Sequence, residues 1–331
     1  VLEEISKLKM KAVVLYKTCS PEELTVTDVP VPETIPGWVL VRVRAFGLNR
    51  SELMMRAYEA DAPYIKLPRI PGIECAGEIA DPSDSDFSKG EKVIALMGGM
   101  GRSFDGSYAE YALLPAKNVF KAVISLGWEE MGAVPESYFT AYGSLSDCLQ
   151  LTAGNTLLIR GGTSALGMSA IHLAKSTGAT VLATTRNEGK REMLSGQGAD
   201  IVLIDDGTLR GQLLKIYPEG VSKILELIGP STLHESIQLA SYHGIVCSTG
   251  ILGKAGVLNN FDPIKDIPNG VYLTGFFSNY PSQAVIDDIF NMIEKNNLHP
   301  VISHIFPLEE IGTAHRLMES NLAKGKVVIK L

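Results

Sequence analysis

An α/β fold carrying a doubly wound parallel sheet is predicted for this chain of 331 residues, and two observations carry the prediction. Residues 157–162 form an apolar run that enters a turn of tiny residues and then a proline-free stretch, 165–177, of helical length. Beyond it, strand-like runs at 180–186, 201–205, 223–228, 244–250 and 270–277 alternate with helical stretches at 188–196, 209–216 and 232–241. Strands that alternate with helices belong to βαβ units, whose crossovers set the strands parallel.

The turn after the first strand is built of Gly161, Gly162, Thr163, Ser164, Ala165, Leu166 and Gly167. Side chains this small let backbone N–H groups approach a pyrophosphate, and the helix that follows points its positive end at the same anion. A dinucleotide is the expected occupant. A full Gly-x-Gly-x-x-Gly is absent: Ser164 stands where a glycine is common, while two hydroxyls offer extra hydrogen bonds. The plain alternative is an ordinary strand-to-helix turn. Segment 253–270, rich in Gly, Asn and Pro, then reads as a loop crossing the cofactor edge.

The end of the second strand selects the cofactor, because a carboxylate there would bind the ribose 2′-OH of NAD and repel a 2′-phosphate. It reads Thr184-Thr185-Arg186, with Lys190 opening the next helix. A planar guanidinium and a nearby ammonium favour NADPH over NADH. Two arguments oppose this: single surface cations are usually just solvated, and Asp205 and Asp206, closing the third strand, would repel the phosphate.

Ahead of the cradle stand Met10-Lys-Ala-Val-Val, Ala45-Phe-Gly-Leu-Asn49, Pro71-Gly-Ile-Glu-Cys-Ala-Gly77, Asp105-Gly-Ser-Tyr-Ala-Glu-Tyr111 and Phe139-Thr-Ala-Tyr142, and the chain closes on Gly325-Lys-Val-Val-Ile329. In this order the motifs resemble the medium-chain dehydrogenase/reductase superfamily, and within it the zinc-independent quinone oxidoreductase group, from Met10 to Leu331. The resemblance implies a Rossmann-type sheet, residues 128–278, inserted in a GroES-like, partly open β-barrel domain made of residues 1–127 and 279–331. It places the active site in a cleft between the two and the chain crossings near Pro135 and Pro281. It also implies a homodimer joined along the edge strand 270–277, which would otherwise be unpaired.

Zinc-dependent relatives take their catalytic ligands from three positions that here read Asn49, Ile73 and Glu136. None is a thiolate or imidazole, and a catalytic zinc needs about three such ligands. The four cysteines, Cys19, Cys75, Cys148 and Cys247, are scattered without Cys-x-x-Cys pairing, so a structural zinc lobe is not expected either. Without a metal, hydrogen bonds must polarise the acceptor, which suits substrates that take hydride readily, namely quinones and α,β-unsaturated carbonyls. Enoyl thioesters are the nearest rival class, and a non-catalytic NADPH-binding protein is a further reading.

The resemblance assigns Asn49 and Thr140 to the nicotinamide, although Asn49 also suits the cap of a helix over 51–57. The family often carries a tyrosine proton donor where this chain has Met54. Tyr64 is taken as its substitute, with Tyr58 and Tyr108 as weaker ones. Met54, Met97 and Met100 suggest an adaptable apolar pocket, or core filling. Gly250, Phe276, Phe277 and Ser278 match segments that pass the nicotinamide ribose and carboxamide. Lys326 is expected either to reach the cofactor or to be a solvated lysine, Tyr142 to be core or pocket wall, and Glu136 to be buried or exposed. The six histidines show no ligand-like spacing and are expected at the surface or satisfied inside.

A net charge of −7 provides no basic field for nucleic acid or an anionic membrane, and neither is an expected partner. No apolar run approaches the roughly 18 residues of a membrane span. Residues 1–9 are too short and charged for a secretory signal and read as a native extension or an added segment. A cytoplasmic enzyme with reduced cysteines is expected.

Overall fold

The computed structural model describes residues 8–253 and 256–331. Most of the extension at 1–9, and Lys254 and Ala255 of the expected loop, lie outside the described residues. The chain opens with a two-stranded antiparallel ribbon, β1 (Lys9–Val13) and β2 (Val26–Pro30). There follow β3 (Trp38–Gly47), α1 (Arg50–Ala57), β4 (Glu74–Asp81), β5 (Lys92–Leu96), β6 (Tyr111–Pro115), β7 (Val119–Lys121), α2 (Trp128–Ala133) and α3 (Pro135–Gly143). Next come β8 (Thr156–Arg160), α4 (Ala165–Ser176), β9 (Thr180–Thr185), α5 (Arg191–Gly196), β10 (Ile201–Ile204), α6 (Leu209–Ile216), β11 (Val221–Glu226), α7 (Pro230–Ile237), β12 (Ala240–Ser248), α8 (Pro263–Asp266) and β13 (Tyr272–Gly275). The chain ends with α9 (Gln283–Lys295), β14 (Ile302–Pro307), α10 (Ile311–Glu319) and β15 (Lys326–Lys330).

Two compact units result. The first holds the chain up to Glu136 with Asn279–Glu294 and His299–Leu331, and the second holds Ser137–Ser278 with Lys295–Leu298. The boundary expected at 127/128 therefore moves: α2 packs on β3 and β15 and belongs to the first unit. The reason is steric. Gly132 lies so close to β3 that a Cβ on it would sit 2.8 Å from that of Ala45, in a tight layer with buried Ala133 and Val328.

In the first unit, strands run in the order β14-β15-β3-β4-β5-β7, with β6 also on β3. Alternating burial along β6 follows from a strand with one covered face, while β3 alternates only over residues 41–45 and is buried continuously on either side of them. The covered side is filled by Phe46, Leu48, Met55, Met100 and Tyr108, whose ring stacks on Phe46 at 4.8 Å. Met100 is thus core filling. Tyr108 is wholly buried, its hydroxyl 2.9 Å from His315 Nε2, which removes it as a proton donor to any bound substrate. Because β15 runs antiparallel to β3, with Val328 opposite Gly47, the last segment of the chain is brought beside residues near position 49.

In the second unit, six strands lie parallel in the order β10-β9-β8-β11-β12-β13, and the order reverses between β8 and β11. Leu158, Leu182, Ile224 and Val246 fill its centre. The expected strands stand where predicted, with shifted ends. Helix α7 begins at Pro230 rather than 232, since proline at the first helical position loses no hydrogen bond and Gly229 (φ +96°) turns the chain into it. It ends before 241 because Ala240 is already paired with Val221 in β12. The loop expected over 253–270 contains the short helix α8, started by Asp262, whose side chain accepts from the Ile264 N–H. No described helix is long and apolar enough to cross a membrane.

Candidate functional site

The carboxyl ends of β8, β9, β11 and β12 share one edge of the second unit, and the predicted cradle lies there. Gly161 adopts φ +96°, and a Cβ on it would press on Ile228 and Leu252 at 3.2 Å. Gly167 is packed harder: a Cβ would lie 2.5 Å from Gly161 O, so only glycine lets α4 sit this close to the strand end. Thr184 locks the loop from β9, its hydroxyl accepting from Gly161 N–H (3.1 Å) and its carbonyl from Gly162 N–H (3.1 Å). Ser164 is the cap of α4. Its hydroxyl donates to Gly161 O (2.9 Å) and accepts from Gly167 N–H (3.0 Å), so this hydroxyl proton is not available to a phosphate, contrary to the expectation for it. With Gly167 and Met168 N–H groups satisfied by Ser164, the Ala165 and Leu166 N–H groups are left at the positive end of a twelve-residue helix. Thr163 completes the turn. The cradle therefore fits a dinucleotide pyrophosphate through backbone donors.

Thr185 is buried, and its hydroxyl closes the turn to Asn187 (3.1 Å from the Asn187 N–H). Arg186 follows it, exposed and with no ion-pair partner among the described residues, and Lys190 ends the short turn of 3-10 helix before α5. Asp205, expected to oppose a phosphate here, is instead held by buried Arg160, whose Nε and Nη2 donate to its two carboxylate oxygens at 2.7 and 2.8 Å. Arg160 Nη2 also donates to Glu235 (2.6 Å) and Nη1 to Ser236 Oγ (3.1 Å). Ser236 in turn donates to Glu226, which also accepts from Ile228 and Gly229 N–H groups at 2.7 and 3.1 Å. Burial pushes the Glu226 carboxyl upward against those hydrogen bonds. Asp206 is tied to Thr208, which donates to it at 2.6 Å.

Gly250 lies against β11, where a Cβ would meet Leu227 O at 2.2 Å. Past β13, Phe276 packs edge-on against Phe139 at 5.7 Å and fills the space beside Gly143, while Phe277 is exposed and Ser278 closes the unit. Thr140 is buried on α3 of the same unit, and Tyr142 is half-buried on the same helix.

A second polar centre lies in the first unit and joins Asn49 to Lys326. The Lys326 side chain is 3 % exposed, so it is not the solvated lysine of one expectation. Its ammonium lies 2.6 Å from Glu74 Oε1 and donates to Asn49 Oδ1 at 2.6 Å, while Asn49 Nδ2 donates to Glu74 Oε1 at 2.8 Å. Glu74 Oε2 accepts from the Glu136 N–H at 2.7 Å. Space here is so short that a Cβ on Gly47 would lie 2.1 Å from Lys326 Cε. Asn49 precedes α1 as expected of a cap, but the capping acceptor is Glu52, whose Oε2 takes the Asn49 backbone N–H at 3.1 Å and leaves the amide to Lys326 and Glu74. Glu52 Oε1 accepts from Ile73 N–H at 3.3 Å. Burial, and then the neighbouring Glu74, raise the Glu52 carboxyl from 4.5 to about 7. A raised carboxyl stabilises the fold fully below its unfolded value of 4.5, and that contribution is lost as the pH rises through about 7.

Tyr64 is not brought to this centre by any hydrogen bond of its own. It is exposed and donates to Glu59 (3.1 Å), the partner of Arg102. His172 bonds Tyr138 (2.9 Å) and Gln197 (2.8 Å) inside the second unit, as expected for a satisfied interior histidine. Sequence reasoning missed Thr184, Arg160, Glu52 and Glu74. Glu52 carried a local signal, the Asn-x-x-Glu spacing of a capping box. The three positions where relatives place zinc hold an amide, a hydrocarbon and a carboxylate, and an ammonium lies against the first of them, so the donor set does not fit a catalytic zinc.

Two family models match the chain: the alcohol dehydrogenase GroES-like domain over residues 35–124 and the zinc-binding dehydrogenase domain over 197–329. Human quinone oxidoreductase is 28% identical over 329 residues, covering 97% of this chain and 98% of that protein. A crystal structure described as an NAD-dependent alcohol dehydrogenase is 26% identical with TM-score 0.87, covering 97% of this chain and 100% of that one. A mycobacterial protein solved with NADPH shares the fold at 22% identity and TM-score 0.82, covering 97% and 100%.

Proposed function

The chain belongs to the medium-chain dehydrogenase/reductase superfamily, in its quinone oxidoreductase-like group, and on that premise we propose that it is an NADPH-dependent, zinc-independent reductase of quinones or α,β-unsaturated carbonyls. The observation that carries the cofactor choice is the end of β9, where an exposed guanidinium, Arg186, replaces the carboxylate that would bind a free 2′-OH. The pairing of Asp205 with Arg160, which Glu235 shares, offsets one of the two carboxylates that would oppose a phosphate there, while Asp206 keeps its charge. Gly161 to Gly167 would hold the pyrophosphate, with Gly250, Phe277 and Ser278 beside the nicotinamide half.

Bound NADPH supplies a hydride. The chain supplies orientation and charge. Asn49, its amide held by Lys326 and Glu74, turns to the acceptor oxygen the Nδ2 hydrogen that Glu52 holds only at 3.5 Å, and Thr140 steadies the nicotinamide side. No side chain at the zinc-type positions supplies a Lewis acid, which favours acceptors whose developing charge spreads over a conjugated system. Met54 puts no acid at the place of the family tyrosine. Small hydrophobic quinones and enones are the expected substrates.

Absorbance assays with NADPH and NADH against quinones, enones and enoyl thioesters test the reading. Arg186→Ala raises KM for NADPH about tenfold or more and leaves KM for NADH nearly unchanged; equal effects on both would remove the cofactor assignment. A homodimer through β13 is supported by the exposed side chains of Tyr242, Ile264 and Tyr272 on and beside that edge strand. Sedimentation at micromolar concentration gives twice the 35.7 kDa chain mass, and a single-chain mass rules the dimer out.

A further inference from the structure

We infer that Glu52 holds a proton at neutral pH and, acting through Asn49, sets the charge of the polar centre that faces the acceptor. Three ionisable side chains, Glu52, Glu74 and Lys326, are 1 %, 0 % and 3 % exposed and belong to one hydrogen-bonded set. Two carboxylates and one ammonium, all ionised, would leave an uncompensated negative charge out of water, which is costly.

Hydrogen-bond geometry decides which carboxyl takes the proton. Glu74 has the ammonium at 2.6 Å, the Asn49 amide at 2.8 Å and the Glu136 N–H at 2.7 Å, three donors suited to a full charge. Glu52 has only neutral donors at longer range: Asn49 N–H at 3.1 Å, Ile73 N–H at 3.3 Å and Asn49 Nδ2 at 3.5 Å. The other charges facing Glu52 are matched elsewhere. Arg102, from the loop after β5, is forked onto Glu59 at 2.9 and 2.6 Å, and Arg56, on α1 itself, is paired with Glu319 and donates to Cys19 O. Tyr108, packed below, is engaged with His315. Burial and Glu74 push the Glu52 carboxyl in the same direction.

Glu52 touches neither cofactor nor substrate in this scheme and is a positioning residue. Neutral Glu52 leaves the Lys326–Glu74 pair balanced and holds the second Asn49 Nδ2 hydrogen only at 3.5 Å, loosely enough for it to turn to an oxygen gaining negative charge. Ionised Glu52 draws Asn49 Nδ2 toward itself and adds a like charge near that oxygen. The inference rests on the reading of Asn49 as the acceptor-facing amide.

The test is kcat with NADPH and a quinone from about pH 6 to about pH 8.5. In the unaltered protein kcat falls on the order of tenfold as the pH passes about 7. Glu52→Gln flattens the profile, and Glu52→Asp restores an inflexion. An inflexion of equal size and position in Glu52→Gln overturns the inference. Infrared difference spectra of the unaltered protein across the same pH range keep it decidable if Glu52→Gln fails to fold or no acceptor is reduced. Loss of one buried protonated-carboxyl band near neutrality that persists in Glu226→Gln supports Glu52, and its absence, or its disappearance in Glu226→Gln, overturns the inference. Lack of turnover in the unaltered protein with every acceptor counts against the proposed function alone.

Discussion

Lys326→Met lowers stability by about 3–5 kcal/mol, because it leaves Glu74 buried with its charge unmatched. The side chains have nearly equal length, so packing against Gly47 is preserved and the loss is electrostatic. Glu74 is fully buried, with Lys326 at 2.6 Å, so solvent does little to screen the orphaned charge. Urea unfolding monitored through Trp38 and Trp128, both in the first unit, reads the change. Adding Glu74→Gln to Lys326→Met recovers a large part of it, since the amide oxygen still accepts from the Glu136 N–H and its NH2 donates to Asn49 Oδ1 once the Asn49 amide, released by the lysine, turns over. If the double variant is no more stable than the single, the pair is not the source of the loss. On the proposed role of Asn49, Lys326→Met also lowers kcat, because Asn49 Oδ1 loses the donor that fixes the orientation of its amide.

Arg160→Met has a comparable effect, about 3–5 kcal/mol, in the second unit. Arg160 is 2 % exposed at the end of β8 and bridges β10, through Asp205, to α7, through Glu235 and Ser236. Removing it breaks a bidentate pair and leaves Asp205 beside Thr185, whose carbonyl accepts the Asp205 N–H at 2.9 Å. Two readouts therefore move together: the urea midpoint falls, and KM for NADPH rises more than KM for NADH. Arg160→Met with Asp205→Asn restores the proposed preference for NADPH even where stability is only partly regained. Unchanged cofactor preference in Arg160→Met would show that Asp205 lies out of range of the 2′-phosphate.

The parallel sheet was legible because its central strands β8, β9 and β11 are largely buried and so read as short apolar runs, each followed by turn residues at the edge where ligands bind. The cradle was legible for a related reason, since only glycine satisfies φ +96° at 161 and the 2.5 Å approach at 167. The charged centre was not. Glu74 and Lys326 are far apart in the chain and meet only because β15 pairs with β3 and β3 with β4. A lysine near a terminus reads as solvated until that pairing is known, and a glutamate in a strand reads as an edge charge. Arg160 was hidden inside a motif whose glycines drew the interpretation, although a charged residue ending a fully buried strand needs a partner. The start of α7 was misread because the helical pattern begins two residues after the proline that sets its backbone.

Strand β15 is the last strand of the chain and carries Lys326, while Glu52 and Glu74 lie near the beginning. On a ribosome, the second unit is almost complete in one uninterrupted stretch, Ser137–Ser278, and can acquire its sheet while synthesis continues. The first unit cannot. Its two acidic side chains emerge hundreds of residues before the ammonium that balances them, so the newborn barrel stays unlatched until Lys326 has left the exit tunnel. A chain cut before β15 therefore retains the parallel-sheet unit attached to a first unit whose sheet lacks the partner of β3 that carries the ammonium.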